Sequence, residues 1–102
     1  MEDLRIQQTE LSTLPETFGK LKKLKRATLS DNKLNFLLET FGDLESLILL
    51  EIDGNKITDL PETFGNLKNL KRISLELMGN KSFYDSIIRL EDISAVEIKV
   101  RN

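Results

Sequence analysis

A six-residue sequence occurs three times in this chain at a constant spacing, and it constrains the fold more than any other feature. Residues 14–19 read LPETFG, and near-identical copies begin at Leu37 and Leu60, so the interval is the same each time. Apolar residues recur in the same register along the 102 residues. A repeat of this length indicates a unit that stacks on copies of itself, since one unit alone is too short to bury a core.

Each repeat predicts one short strand and one return segment. Around Ala27 and Leu29, apolar residues alternate with polar ones, and this period of two is typical of a strand with one buried face. Strands one repeat apart would pair in parallel, because the residues between them supply the long crossover that a parallel pair needs. The predicted inward column of these strands contains Leu4, Ala27, Leu50, Ile73 and Val96.

The return segments predict short turns rather than long helices. Phe18, Leu21 and Leu24 are three residues apart, the spacing that places side chains on one side of a 3-10 or helical turn. Pro15 and Pro61 have no N–H to donate and suit the start of such a turn. The glycines that we expect to interrupt it are Gly19, Gly42 and Gly65.

The composition argues against several classes of function. The chain has no cysteine and no histidine, which excludes disulfides, Cys/His zinc sites and histidine-based catalysis. Its net charge of −2 argues against a dedicated nucleic-acid binder. No signal peptide or membrane-length apolar run is visible, which favours the cytoplasm without fixing the location. We expect no catalytic residues, no metal and no cofactor.

Two segments carry a recognisable signature. Residues 24–34 and 47–57 resemble the leucine-rich repeat pattern LxxLxLxxNxL, and the LPxxFGxLxxL return segment resembles its 23-residue bacterial and plant intracellular type. The resemblance covers essentially the whole chain. It implies an α/β fold, a leucine-rich repeat solenoid coiled as a right-handed superhelix. About five short parallel strands would line its concave face, joined by short 3-10 or helical return segments.

The repeat register predicts a single domain over residues 1–102. Its repeats would cover about 1–23, 24–46, 47–69 and 70–92, followed by a terminal strand within 93–102. Ser82–Asp85 resembles a capping box, so we expect one C-terminal helix over about Phe83–Asp92 and a last strand over Ala95–Val100. Met1 falls in mid-repeat, so either the chain belongs to a longer protein or a partner covers the first repeat.

The asparagine position of the signature is occupied by Thr9, Asn32, Asn55 and Met78. The resemblance implies that this asparagine satisfies backbone groups of neighbouring turns in a structural ladder. Threonine can do so in part, and methionine cannot. We therefore expect an irregular turn after the fourth strand, where Gly79 and Asn80 follow two positions late.

Leu49 is the odd residue among outward strand positions that are otherwise polar or small, and Ile48 flanks it. An exposed apolar pair inside a polar rim is typical of an interface anchor. The alternative is that both residues pack under a neighbouring loop. The candidate partner-binding residues on the concave face are Arg26, Thr28, Ile48, Leu49, Glu51, Asp53, Arg72, Ser74 and Glu76.

The resemblance implies a non-catalytic protein–protein interaction module with a protein partner, no nucleic acid and no membrane span. Carboxylates such as Glu51 and Asp53 are interpreted as solvated surface, since an open sheet offers no desolvated cleft for acid–base chemistry. One alternative is a scaffold segment of a larger multidomain enzyme or receptor. The other is a unit that self-associates through its uncovered N-terminal end or through Tyr84 and Ile88.

Overall fold

The computed structural model describes residues 2–57, 60–76 and 97–101. Within these residues one parallel sheet contains five strands in chain order: β1 (Asp3–Arg5), β2 (Arg26–Thr28), β3 (Leu49–Glu51), β4 (Arg72–Glu76) and β5 (Glu97–Arg101). The return segments contain 3-10 helices over Glu16–Lys20, Glu39–Asp43 and Glu62–Asn66. A parallel sheet joined by short 3-10 turns confirms the predicted solenoid.

The first four strands pair in the register that the repeat predicts. Leu4 lies opposite Ala27, Ala27 opposite Leu50, and Leu50 opposite Ile73. Ala27, Leu50 and Ile73 are fully buried, whereas Arg26, one position earlier on β2, is exposed. The period of two therefore assigns one side of the sheet to the core and leaves the other side for contact with solvent or a partner.

The fifth strand corrects the predicted register. The constant repeat spacing places Val96 opposite Ile73, but Ile73 pairs instead with Ile98, two positions after Val96. The described part of β5 covers Glu97–Arg101, and Ala95 and Val96 of the predicted range lie outside the described residues. The prediction was wrong because it extended a constant spacing across a fourth repeat that is two residues longer.

The position of an asparagine marks this longer repeat in the sequence. Paired residues of β4 and β5, such as Ile73 and Ile98, are separated by a longer interval than the regular repeat. Asn80 follows Asn55 by this longer interval, whereas Met78 follows it by the regular one. Because β4 keeps the regular register with β3, the two extra residues enter after the part of β4 that pairs with β3. The predicted irregular turn, the predicted helix over Phe83–Asp92, and Tyr84 and Ile88 lie outside the described residues.

Each 3-10 helix begins after a residue with extended backbone. Pro15 and Pro61 occupy this position in the first and third helices, as the sequence predicts, and Leu38 occupies it in the second. The carbonyl oxygen of Pro15 accepts a hydrogen bond from the N–H of Phe18 at 3.0 Å, and the same bond recurs in the other two helices. Leu38 has φ −70° and ψ 153°, close to the −71° and 154° of Pro15.

Leu38→Pro is expected to stabilise the protein by about 0.4–1 kcal/mol. The native backbone already has the φ that proline requires, and the substitution narrows the conformations open to the unfolded chain. Urea denaturation would measure the gain as a higher midpoint with an unchanged slope. A lower midpoint would show that the partly buried Leu38 side chain contributes more than the backbone constraint.

The glycines of the return segments do not interrupt the 3-10 helices as expected, because Gly19 and Gly42 lie inside them. Their function is close packing. A Cβ on Gly19 would collide with the carbonyl oxygen of Thr40, and one on Gly42 would lie 2.5 Å from that of Thr63. Real Cβ atoms do not approach backbone oxygen so closely, so each glycine allows the next return segment to stack directly against its own.

Phenylalanine side chains form a continuous column behind the sheet. The rings of Phe18 and Phe41 are stacked with centroids 5.1 Å apart, and those of Phe41 and Phe64 are 5.9 Å apart. All three are buried, and Phe41 in the middle is only 1% exposed. This column and the buried leucines and isoleucines of the strands form one core that runs along the stack.

Candidate functional site

Asn32 and Asn55 support the ends of the strands from beneath. The Nδ2 of Asn32 donates to the carbonyl oxygens of Ile6 and Leu29 at 2.8 and 2.9 Å. The Nδ2 of Asn55 also donates to Leu29, at 2.9 Å, so a single carbonyl joins the two amides. Neighbouring repeats are thus connected by buried hydrogen bonds, and the side chains above them are held on a firm support.

Thr9 takes part in this ladder as a donor. Both its backbone N–H and its hydroxyl group donate to the Oδ1 of Asn32. The first repeat therefore satisfies the amide of the second, although a threonine replaces the asparagine of the signature. Met78, at the corresponding position of the fourth repeat, lies outside the described residues.

The outward side of the sheet, together with Ile48 and Asp53, forms a surface that we call the strand face. Its central column crosses all five strands in the order Asp3, Arg26, Leu49, Arg72 and Glu97. Leu49 is the one apolar residue of this column, and it is partly exposed. The charges on either side of it are arranged symmetrically, with arginine next to Leu49 and an acidic residue beyond.

Ion pairs along this column turn the two arginines away from Leu49. The Nη1 of Arg26 lies 3.9 Å from the Oδ2 of Asp3, towards one edge of the sheet. The Nη2 of Arg72 lies 3.2 Å from the Oε1 of Glu97, towards the other edge. Both guanidinium groups therefore lean outward, and Leu49 stays accessible between them.

Ile48 lies next to this column at the entrance to β3. Its N–H donates to the carbonyl oxygen of Lys25, and its own carbonyl oxygen accepts from the N–H of Lys71, both at 2.8 Å. The side chain is 36% exposed. It contributes to a shallow depression of about 210 Å³ that is lined by Lys25, Ser46, Ile48, Asn69 and Lys71.

Acidic side chains follow at the other end of β3. The Oδ1 of Asp53 accepts a hydrogen bond from the hydroxyl group of Ser30 at 2.8 Å, and the Oε1 of Glu51 accepts one from that of Thr28 at 3.4 Å. Glu51 and Asp53 stay partly exposed. In the direction of β3, the surface thus changes from Lys25 and Lys71 of the flanking repeats, through Ile48 and Leu49, to Glu51 and Asp53.

Thr28 points to the predicted side of the sheet, and it is only 6% exposed. Its hydroxyl group donates to the Oε1 of Glu51. Its part in partner binding stays a prediction. Ser74 is partly exposed. Glu76 ends β4 opposite Arg101, the last residue of β5.

Phe36 was missed by the sequence reasoning, and it is 48% exposed in the structure. The corresponding positions of the neighbouring repeats are Thr13 and Asp59. A phenylalanine at a repeat position that is otherwise polar was therefore the sequence signal for this exposed side chain. Phe36 lies in the connection between β2 and the second 3-10 helix, outside the strand face. It therefore offers an apolar comparison for Leu49.

The first repeat leaves its core side chains partly exposed. Leu4 and Ile6 are half-buried, whereas Ala27 and Leu29, one repeat later, are fully buried. The remaining half-buried members of the first repeat are Leu11, Leu14 and Leu21. Each repeat is covered on both sides only when another repeat packs against it.

A second depression, of about 590 Å³, lies near the return segments and contains both signs of charge, from Lys22, Lys68, Asp43 and Glu45. It therefore has no single electrostatic preference. Among the described residues, no group of three or more acidic side chains could hold a metal ion. The described part of the chain also contains no helix with the length and apolar character needed to cross a bilayer.

Comparison with known proteins agrees with this architecture. A family model described as leucine rich repeat matches residues 1–57. A solved structure of an LRR protein from Leptospira interrogans is similar, with 32% sequence identity and a TM-score of 0.84 over 97% of this chain. The chain spans about a quarter (25%) of the length of that protein. Comparison with curated protein sequences finds no match.

Proposed function

The chain belongs to the leucine-rich repeat family, and from this membership we propose that it is a non-catalytic module whose strand face holds a protein partner. The observation that carries the proposal is the accessible aliphatic pair Ile48 and Leu49 at the centre of the sheet. Every other described position in the column of Leu49 is charged. An apolar spot inside such a rim is typical of an interface anchor.

Rigid presentation is the proposed mechanism of binding. Strands lie about 4.8 Å apart in the sheet, and each side chain has a fixed place on it. The buried amides of Asn32 and Asn55 hold neighbouring repeats together. A preformed surface loses little conformational entropy when a partner binds, so contacts made by a few residues can yield useful affinity.

The carboxylates of this surface supply charge rather than acid–base chemistry. Glu51 and Asp53 lie on an open face, partly exposed to solvent and held by neighbouring hydroxyl groups. A catalytic pair needs a desolvated cleft that separates the pKa values of its members. The arrangement on the strand face therefore favours recognition over catalysis.

Leu49→Glu is expected to abolish partner capture and to leave the melting temperature nearly unchanged. The new carboxylate would stand between Arg26 and Arg72, where the strand tolerates it, but it would remove the apolar anchor. Affinity capture from a lysate of the source organism, followed by mass spectrometry, would compare this variant with the wild type.

Phe36→Glu is the matched control, because it places the same charge on an exposed apolar residue outside the strand face. We expect this variant to retain every protein that Leu49→Glu loses. The opposite pattern, capture lost with Phe36→Glu and kept with Leu49→Glu, would assign binding to the return side of the molecule and contradict the proposal.

A second candidate function is self-association through the half-buried apolar side chains of the first repeat, of which Leu4 and Ile6 are examples. A second copy that packs there would cover them as a further repeat does in the stack. Light scattering over a range of concentrations separates the two candidates, since a strict monomer leaves self-association without support.

A further inference from the structure

We infer that the strand face, with Lys25 and Lys71 at its border, selects a partner segment in which an aliphatic residue lies between an acidic residue and a basic residue, in either chain direction. The inference rests on the proposed function and specifies the chemistry of the partner. The acidic residue would bind between Lys25 and Lys71, the aliphatic residue would contact Leu49, and the basic residue would lie over Glu51 and Asp53.

The depression around Ile48 carries the first part of the inference. Of the residues that the structure describes, two lysines, two with neutral polar side chains and one isoleucine line it, and none of these is acidic. Lys25 and Lys71 are two strands apart, about 10 Å at the usual spacing, so both flexible ammonium groups can reach one carboxylate placed between them. Ser46 and Asn69 add hydrogen-bonding groups at the same place.

These lysines are available to a partner. Lys25 forms one exposed ion pair, with Glu2 at 3.4 Å, and such surface pairs contribute about 0–1 kcal/mol, so an incoming carboxylate can replace Glu2. Among the described residues Lys71 has no ion pair. The depression is therefore an electropositive pocket with an apolar side, which fits a carboxylate on a segment that also carries aliphatic groups.

The spatial arrangement of the three partner residues follows from β3 and the residues that flank it. Ile48, Leu49, Glu51 and Asp53 succeed one another from just before β3 to just after it and span about 16 Å at about 3.3 Å per residue. At the acidic end, the hydroxyl group of Ser30 donates to Asp53 at 2.8 Å, and that of Thr28 makes a longer contact of 3.4 Å with Glu51. A partner segment with acidic residues at both ends, or basic residues at both ends, would bring like charges together at one end whichever direction it runs.

Panning a display library of random peptides against the immobilised protein tests the inference. We expect enriched peptides to carry Asp or Glu on one side of an aliphatic residue and Lys or Arg on the other. The dissociation constant of an enriched synthetic peptide should rise about tenfold in Lys25→Glu/Lys71→Glu, with the difference shrinking at high salt. It should change less than about twofold in Lys20→Glu/Lys56→Glu, which alters the net charge equally at exposed lysines outside the depression.

The outcomes separate the inference from the proposed function. In one outcome, the peptides lose binding in Leu49→Glu, but they show no preference for an acidic residue, or their dissociation constants change equally in the two double-lysine variants. The strand face then binds protein, and the inferred partner chemistry is wrong. If their binding survives Leu49→Glu unchanged, the strand face is not the site, and both proposals fall. The absence of any enriched peptide counts against both as well.

Discussion

Replacing Phe41 with alanine is expected to lower the free energy of unfolding by about 3–5 kcal/mol. Phe41 is 1% exposed, and its ring stacks on Phe18 at 5.1 Å and on Phe64 at 5.9 Å. Truncation removes the buried ring, leaves a cavity and breaks both aromatic contacts at once. A domain of this size has about 5–15 kcal/mol of stability in total, so the variant would be close to unfolding.

Phe36→Ala is the control for this prediction, because it is the same chemical change at a residue that is 48% exposed. Its cost should stay within about 0.5 kcal/mol, as for most surface substitutions. Urea denaturation followed by circular dichroism would measure both variants. A loss below about 1 kcal/mol for Phe41→Ala would show that the phenylalanine column does not form the core.

Most of the fold could be predicted because one spacing determines it. The constant repeat interval places Leu4, Ala27, Leu50 and Ile73 side by side, and the period of two decides which face of each strand is buried. The last strand could not be placed by the same rule, since the fourth repeat is longer. Its signal was the late asparagine at position 80, which the spacing of the aliphatic residues does not show.

The candidate site was predictable only in part. Alternation identifies the side of the sheet to which Thr28 points, but it does not show that Thr28 is only 6% exposed there, because exposure depends on the packing of the neighbouring repeats. The orientation of Arg26 and Arg72 is also a property of the packed sheet. Each one pairs with an acidic residue on an edge strand, and for Arg72 that residue depends on the two-residue shift of β5.

The role of the glycines in the return segments could also be predicted only in part. Their glycines were predicted to break a turn, which is a property of the local backbone. In the structure Gly19 and Gly42 are required by the next repeat, whose Thr40 and Thr63 pack directly against them. A contact between residues more than twenty positions apart leaves no signal in the local sequence. The importance of the glycines was therefore recognised, but the close packing that requires them was not.

Asn55→Ala is expected to cost about 3 kcal/mol, since each unsatisfied buried polar group costs about 1–3 kcal/mol. The Oδ1 of Asn55 accepts the N–H of Leu34 at 3.0 Å, and its Nδ2 donates to the carbonyl oxygens of Leu29 and Ile52 at 2.9 and 3.0 Å. Alanine leaves one buried donor without its acceptor and removes a donor from two carbonyls. Asn69→Ala is the control, because Asn69 is exposed and donates to a single carbonyl, that of Glu45.

Hydrogen exchange distinguishes the loss of this ladder from general weakening. In Asn55→Ala the amide of Leu34 should exchange faster by a larger factor than the amide of Ile52, which keeps its 2.8 Å bond to the carbonyl oxygen of Ser74 on β4. Equal acceleration at both amides would mean that the substitution only lowers global stability. A cost no greater than that of Asn69→Ala would show that the buried asparagines do not hold the repeats together, and the rigid strand face would lose its main support.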